Sequence, residues 1–290
     1  MADFYCIVDK IIDKRHELLK NACDKRNIPF VIIETASFDF SQKMPLEPTD
    51  MLYRANRGRQ ATTVEKFILQ SNCKTLYSSI LRARSTIPEY ITQQFDPKTH
   101  FIPTIPIFTH NHDLLEKYAA ALGGFPVIIK VEGGTKGVGI IKVDSLASLI
   151  STTDYLLDQP GLNESTRLLL KKYIPHKEQG RLVVLGNKVI ASKANYSDAK
   201  SKHEFRLNLN GMFHGEPKIY SDEIQQTAIY ATHQWNMEFG GVDVLVSEDG
   251  SYYISEINFP CGFVETQEVS GVDIAGEIVD YLVNKPVSTN

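Results

Sequence analysis

Three side chains near the C-terminal end, Asp243, Glu256 and Asn258, carry oxygen donors at a spacing that can gather a hard cation. They lie within FGGVDVLVSEDGSYYISEINFPCGFVE, where two β-rich runs at 242–247 and 252–258 flank Asp249–Gly250. Asp-Gly between such runs is a strong hairpin signal, because both residues tolerate the positive φ angles of tight turns. A turn centred on the dipeptide pairs Asp243 with Glu256 for a two- or four-residue loop; a three-residue loop or a bulge shifts that register. Alternation along the strand puts Glu256 and Asn258 on one face. Carboxylates directly opposite each other repel unless something neutralises them. Mg²⁺ does so, since it favours carboxylate and carbonyl oxygens and keeps positions open for phosphates. A solvent-facing hairpin edge whose acids stay hydrated explains the same residues, and this stretch alone does not choose.

A second candidate centre begins at Lys130, which ends the apolar run PVIIK and precedes VEGGTKGVG. Glycines 133, 134, 137 and 139 let a backbone approach an anion and turn its amides towards it. The pattern is not a P-loop, which needs GxxxxGK followed by Ser or Thr and a helix. β-branched residues follow instead, so a hairpin with a hinged tip is expected, Thr135 and Lys136 offering a hydroxyl and a cation to a triphosphate. A flexible turn without ligand is the plainer alternative. Arg206 and Asn208 share a face in FRLNL, where a guanidinium beside an amide suits a phosphoryl oxygen. Arg181, ahead of LVVLG, has the same two readings, anion ligand or exposed edge residue. No His-based constellation stands near Cys261 to activate it, so catalysis by that thiol is not expected. His203, His214 and His233 fit no HExxH pattern and read as surface or locally bonded groups.

The elements that must position these groups follow from periodicity. Strands at 4–8 and 29–33 around a helix at 11–23 suggest a βαβ unit and a parallel sheet. A strand at 51–54 and a helix at 63–70 follow. Arg54, Arg57, Arg59, Arg82 and Arg84 make this region basic and are expected on a solvated surface. Four prolines between 88 and 106 read as a helix end plus linker, placing a boundary near residue 100. Beyond it come a helix at 111–122, strands at 125–131 and 138–143, a helix at 145–157 and a strand at 167–174. A hairpin turning at Gly186–Asn187, a strand near 205–209, a helix at 222–238 and a final helix at 273–283 complete the chain; 259–270 reads as a loop.

Composition sets bounds. A chain of 290 residues with 42% hydrophobic and 23% charged residues is that of a soluble globular protein of about two ordinary domains. A net charge of −4 without like-charge blocks argues against nucleic acid or an anionic membrane as partner. Four scattered cysteines fit neither a disulfide framework nor a thiolate zinc site. With no signal-peptide pattern and no apolar run of ~20 residues, a cytoplasmic setting is expected.

The order of the pieces resembles the ATP-grasp superfamily, and within it the RimK-like carboxylate–amine ligases: a lysine strand with a glycine-rich tip, KKYI, RLVVLGNKVIA, EFRLNLNG, GGVDVLV, EINFPCG and SGVDIAGEIVDYL. The likeness covers about residues 100–285 and is only architectural before that. It implies an α/β (α+β) ATP-grasp fold: an N-terminal parallel α/β domain at 1–100, a central subdomain with the flap at 101–180, and a C-terminal subdomain with the metal site at 181–290. It also implies ATP-dependent joining of a carboxylate to an amine through an acyl phosphate, releasing ADP and phosphate. By the same carry-over Lys130 and the flap residues Glu132, Gly133, Gly134, Thr135, Lys136 and Gly137 meet the phosphates. Lys171, Lys172, Tyr173 and Ile174 line the adenine, Gln179 stands at the ribose position, Arg206 and Asn208 meet the transferred phosphate, and Arg181 is a further cofactor-binding residue. Lys130 and Arg206 are the implied catalytic groups. Asp243, Glu256 and Asn258 are the implied ligands of two Mg²⁺ ions, with Mn²⁺ as an alternative. Gln179 stands where an acid usually does, with Glu178 adjacent, and Arg84 is nearest to a lysine usually found before the central domain. Small-molecule or peptide substrates, a carrier or precursor peptide, and a homodimer or tetramer complete what the likeness implies. Rival readings are a macrocyclase acting on a ribosomal precursor peptide, a phosphotransferase that stops after phosphoryl transfer, and a non-catalytic ATP-binding scaffold.

Overall fold

The computed structural model describes residues 2–9, 13–70, 72–79, 96–131, 137–158, 168–196, 204–206 and 215–287. Glu132, Gly133, Gly134, Thr135, Lys136 and Asn208 lie outside the described residues, as do Arg82, Arg84, His203 and His214.

β1 (Phe4–Val8) is flanked by β2 (Phe30–Glu34) and β3 (Met51–Arg54) in a parallel sheet of order β2-β1-β3. Phe4, Cys6, Ile7 and Val8 are all fully buried, because a central parallel strand is covered on both faces. α1 (Lys14–Asp24) starts at Asp13, whose carboxylate accepts the Arg15 N–H while His16 closes the other half of a capping box. α2 (Arg59–Ile68) starts four residues earlier than the expected 63, turning Ala61, Val64 and Ile68 inward. Arg54 corrects the expectation of a solvated arginine surface. It is buried, with Nε 2.7 Å from Glu65, and Tyr77 donates to the same carboxylate at 2.9 Å.

The middle of the chain forms an antiparallel sheet of order β4-β7-β5-β6, from β4 (Thr104–Ile107), β5 (Val127–Val131), β6 (Ile140–Val143) and β7 (Leu168–Lys172). α3 (His112–Ala121), capped by Asn111, and α4 (Leu146–Leu157), capped by Ser145, pack Leu115, Ala119 and Leu149 on one face against Val127, Ile129 and Leu170. β4 falls where the prolines suggested a linker. It is an edge strand, and an edge tolerates Pro106 because a missing N–H there breaks no ladder bond.

The third sheet is antiparallel, in the order β10-β9-β8-β11-β12: β8 (Glu178–Leu185), β9 (Lys188–Tyr196), β10 (Glu216–Pro217), β11 (Phe239–Val246) and β12 (Tyr252–Asn258). The β8–β9 hairpin turns at Gly186–Asn187 as the sequence suggests, with Gly186 at φ +57°. α5 (Asp222–Gln234) covers one face, packing Ala228 and Ile229 on Leu182, Val242 and Ile254. It ends short of the expected 238, because Asn236 takes φ +61°. On the other face Val183, Phe239, Cys261 and Phe263 share a core with Phe4 and Tyr53 of the parallel sheet and with α7 (Ile274–Asn284). A short helix, α6 (Val264–Ser270), replaces most of the loop expected at 259–270. The strand expected near 205–209 is not seen at Phe205 or Arg206, and 207–209 lie outside the described residues. The rest of that second face opens towards the middle sheet, and the space between the two is a cleft.

Candidate active site

The acidic hairpin reaches the expected pairing by an unexpected route. Its loop has three residues, 248–250, with Gly250 at φ +85°, so β11 and β12 leave the turn one step out of the simple register, Val246 opposite Tyr252 and Val244 opposite Ile254. A bulge at Ser255 then restores the count, placing Asp243 opposite Glu256 and Gly241 opposite Asn258. The bulge also turns the Ser255 carbonyl towards the other sheet, where it accepts the Lys171 ammonium at 2.9 Å.

Each acid has a cation beside it. Arg181, opposite Asp243 on β8, grips that carboxylate with Nε at 2.5 Å and Nη2 at 3.0 Å, while the Asn258 amide donates to it at 3.1 Å. Glu256 accepts from Lys130 across the cleft at 3.1 Å. Burial pushes the Asp243 carboxyl above its ordinary value, Arg181 opposing and Glu256 reinforcing. Burial alone would raise Glu256 too, but Lys130, Lys171 and Arg57 outweigh it and hold the group below the ordinary range. Two carboxylates and the carbonyl end of the Asn258 amide, meeting beside cations, fit Mg²⁺, which completes its shell with water and phosphate oxygens. Among the described residues no group of three or more His, Cys, Asp or Glu could hold a metal by itself.

The cleft encloses about 110 Å³. The middle sheet supplies its roof through Ile128, Lys130, Ile140 and Lys171; Gln179, Asp243, Leu245 and Glu256 form the floor. Lys172, Tyr173, Ile174 and His176 also line the cleft. Lys142 lies 4.9 Å over the Tyr173 ring, and Phe205 meets that ring edge-on at 6.2 Å. The His176 Nδ1–H donates to the Ile174 carbonyl at 2.8 Å, and burial lowers its pKa, so the ring stays neutral. Arg206 borders the opening. Its guanidinium is held by Glu204 at 2.7 Å and donates to the Gly137 carbonyl at 3.1 Å, tying it to the root of the glycine-rich tip.

Of the residues singled out from sequence, Lys130, Lys171, Lys172, Tyr173, Ile174, Gln179, Arg206, Asp243 and Glu256 line this space, with Arg181, Asn258 and Gly137 in contact with them. Arg181 is not an exposed edge residue, since β8 runs between β9 and β11. Glu178 faces away from the cleft, buried against the Tyr220 hydroxyl at 2.6 Å and paired with Lys218. Sequence reading missed Lys142, His176 and Ser255. Lys142 was findable, because it pairs with Ile128 two residues before Lys130 and so shares its face. Cys261 is buried, its thiol raised by that burial and therefore inert.

Comparison with known proteins agrees with this geometry. The probable alpha-L-glutamate ligase of Thioalkalivibrio sulfidiphilus (strain HL-EbGR7) is 30% identical over 179 residues, 60% of this chain and 56% of that protein. The chain thus spans little more than half the length of the curated relatives it matches. The ATP-grasp ligase PsnB, complexed with precursor peptide PsnA2 and AMPPNP, has the same fold, with a TM-score of 0.70 at 15% identity over 97% of both chains. Macrocyclase MdnC, bound with precursor peptide MdnA from Microcystis aeruginosa MRC, gives 0.66 at 12% identity over 98% of this chain and 100% of MdnC. The RimK-like ATP-grasp domain matches residues 101–282, well over half of the sequence, and the chain belongs to that family.

Proposed function

We propose that this chain is an ATP-dependent carboxylate–amine ligase that forms an amide or peptide bond and releases ADP and phosphate. The observation that carries the reading is the Asp243–Glu256 pair, set at the floor of a cleft whose roof brings Lys130 onto Glu256. A carboxylate oxygen attacks the γ-phosphorus of ATP and the bond to the β,γ-bridging oxygen breaks. The amine then attacks the acyl carbon, phosphate leaves, and the amine loses a proton. A free carboxylate cannot take the second step directly, because its oxygen is a poor leaving group.

The protein's part is positioning and charge neutralisation. Asp243, Glu256 and Asn258 would hold two Mg²⁺ ions, with Mn²⁺ as a substitute, and bound cations there would supply neutralisation of the phosphate charge. Lys130, 3.1 Å from Glu256, would meet the same phosphates. Lys171, Lys172, Tyr173 and Ile174, with the neutral His176, would line the adenine, Gln179 would face the ribose, and Arg181 would hold Asp243 in place. Arg206, with Asn208 and the flap of Glu132, Gly133, Gly134, Thr135, Lys136 and Gly137, would cover the transferred phosphoryl group and exclude water. Losing one such donor typically costs ~10²–10³ in rate. The three-part division at about 100 and 180, a dimeric or tetrameric assembly and a cytoplasmic setting belong to the same reading, supported by the likeness in sequence alone.

Incubation with Mg²⁺–ATP and panels of acids and amines, followed by nucleotide separation, tests it. ADP and phosphate appearing only with the right acid are expected, and Glu256→Gln should abolish them without moving the melting temperature. AMP and pyrophosphate as products would contradict the mechanism. A macrocyclase is the second reading, favoured by fold neighbours seen with precursor peptides. Loss of water from one peptide, with both ends of the new bond inside it, would decide for it.

A further inference from the structure

Four charged residues lie directly opposite one another on successive strands of the third sheet: Lys193 on β9, Arg181 on β8, Asp243 on β11 and Glu256 on β12. Direct pairing puts all four on the cleft-side face. Two like charges side by side destabilise a sheet unless each is neutralised. Arg181 is, by the bidentate grip on Asp243. Lys193 has a different partner, Glu265 of α6, and the two ends of that pair are unequal. The Lys193 side chain is only 8% exposed and that of Glu265 is 65% exposed. Gly215 leaves room for the lysine stem: a Cβ there would sit 2.9 Å from Lys193 Cδ and 3.2 Å from Nζ.

From this we infer that Lys193 recognises a second anionic group on the substrate, and that Glu265 occupies its ammonium until that group arrives. The inference rests on the ligase reading of the cleft and deepens it. The exchange runs this way because an exposed carboxylate swings into water at little cost, whereas a buried ammonium cannot be left unpaired. Lys193 stands two strands from Asp243, about 10 Å at the usual strand spacing. An extended chain covers that in about three residues, so the substrate class is a peptide with a carboxylate near, but separate from, the reacting one.

Calorimetric titration of the full chain loaded with AMPPNP and Mg²⁺ tests this without requiring turnover, using L-glutamyl-L-glutamate against L-glutaminyl-L-glutamine. The wild type should bind the acidic dipeptide about tenfold tighter, the usual worth of a charge-assisted hydrogen bond. Lys193→Met should erase that preference, and Glu265→Gln should strengthen it by removing the competing carboxylate. The opposite signs separate recognition from a structural staple, for which both variants would weaken binding alike and lower the melting temperature. That result, equal affinity for the two dipeptides, or no binding of either would overturn the inference. Should Lys193→Met fail to fold, the sign of the Glu265→Gln effect alone decides. If no acid yields ADP, the ligase reading fails while this charge preference is still measured.

Discussion

At the scale of single residues, the acid pair depends on a neighbour with no chemistry of its own. Gly241 stands opposite Asn258, and a Cβ built on it would lie 2.5 Å from Cys261 Sγ and 2.9 Å from Arg181 Nη1. The side chain is absent because the guanidinium holding Asp243 passes through that space. Gly241→Ala should therefore act twice. Overpacking should cost about 1–3 kcal/mol, and displacement of Arg181 should lower ADP formation by roughly 10²-fold, the scale of an ångström-sized misplacement. Adding Cys261→Ala removes the closer clash and should recover most of the stability in urea unfolding, but not the rate, since the arginine contact remains. A Gly241→Ala protein with wild-type turnover would show that Arg181 does not position Asp243 for the reaction.

At the scale of elements, what the sequence disclosed depended on whether a local signal survived its surroundings. The Asp243–Glu256 pairing was legible from Asp249–Gly250, although two departures cancel beneath it, a three-residue loop and the bulge at Ser255. No single-sequence signal announces that bulge. β4 was hidden because Pro103 and Pro106 read as linker residues, and only the order of strands shows that it lies at an edge. α6 was hidden by its seven-residue length. The start of α1 was misjudged because apolar spacing began at Ile11, whereas the cap at Asp13 begins the described helix. That cap makes a prediction in pH. The Asp13 N–H donates to His16 Nδ1 at 2.8 Å, and the ring is buried. Burial lowers the His16 pKa below 6.5, with Asp13 opposing and Arg15 reinforcing. The native state therefore binds fewer protons than the unfolded chain there, so stability present above the unfolded value is lost as pH falls through it. His16→Ala removes the acceptor and cannot titrate. Wild type should be more stable near neutral pH by about 1 kcal/mol, the usual worth of a cap, and the gap should close as the buffer is taken below the ordinary histidine value. A gap constant in pH would mean that His16 titrates alike in the native and unfolded states.

At the scale of the whole molecule, the parallel sheet does more than precede the cleft. Arg54, at the end of β3, is paired with Glu65 at 2.7 Å, their side chains only 7% and 6% exposed. Its guanidinium also lies 5.3 Å over the Phe259 ring, which Tyr77 meets at 5.0 Å. Phe259 directly follows Asn258, so one end of β12, the strand that carries Glu256 and Asn258, is seated on a buried ion pair from the other end of the chain. Breaking that pair by Arg54→Met leaves Glu65 buried and uncompensated, which should cost about 3–5 kcal/mol. Replacing both partners, as Arg54→Met with Glu65→Leu, removes the orphaned charge and should return stability close to wild type. It does not restore the cation over Phe259, a contact worth about 0.5–2 kcal/mol. The double variant should accordingly fold normally yet require more Mg²⁺ for half-maximal ADP formation. Urea unfolding and Mg²⁺ titration of turnover, run on the single and double variants together, separate the two effects. Wild-type Mg²⁺ dependence in the stable double variant would show that the seat under Phe259 serves packing alone.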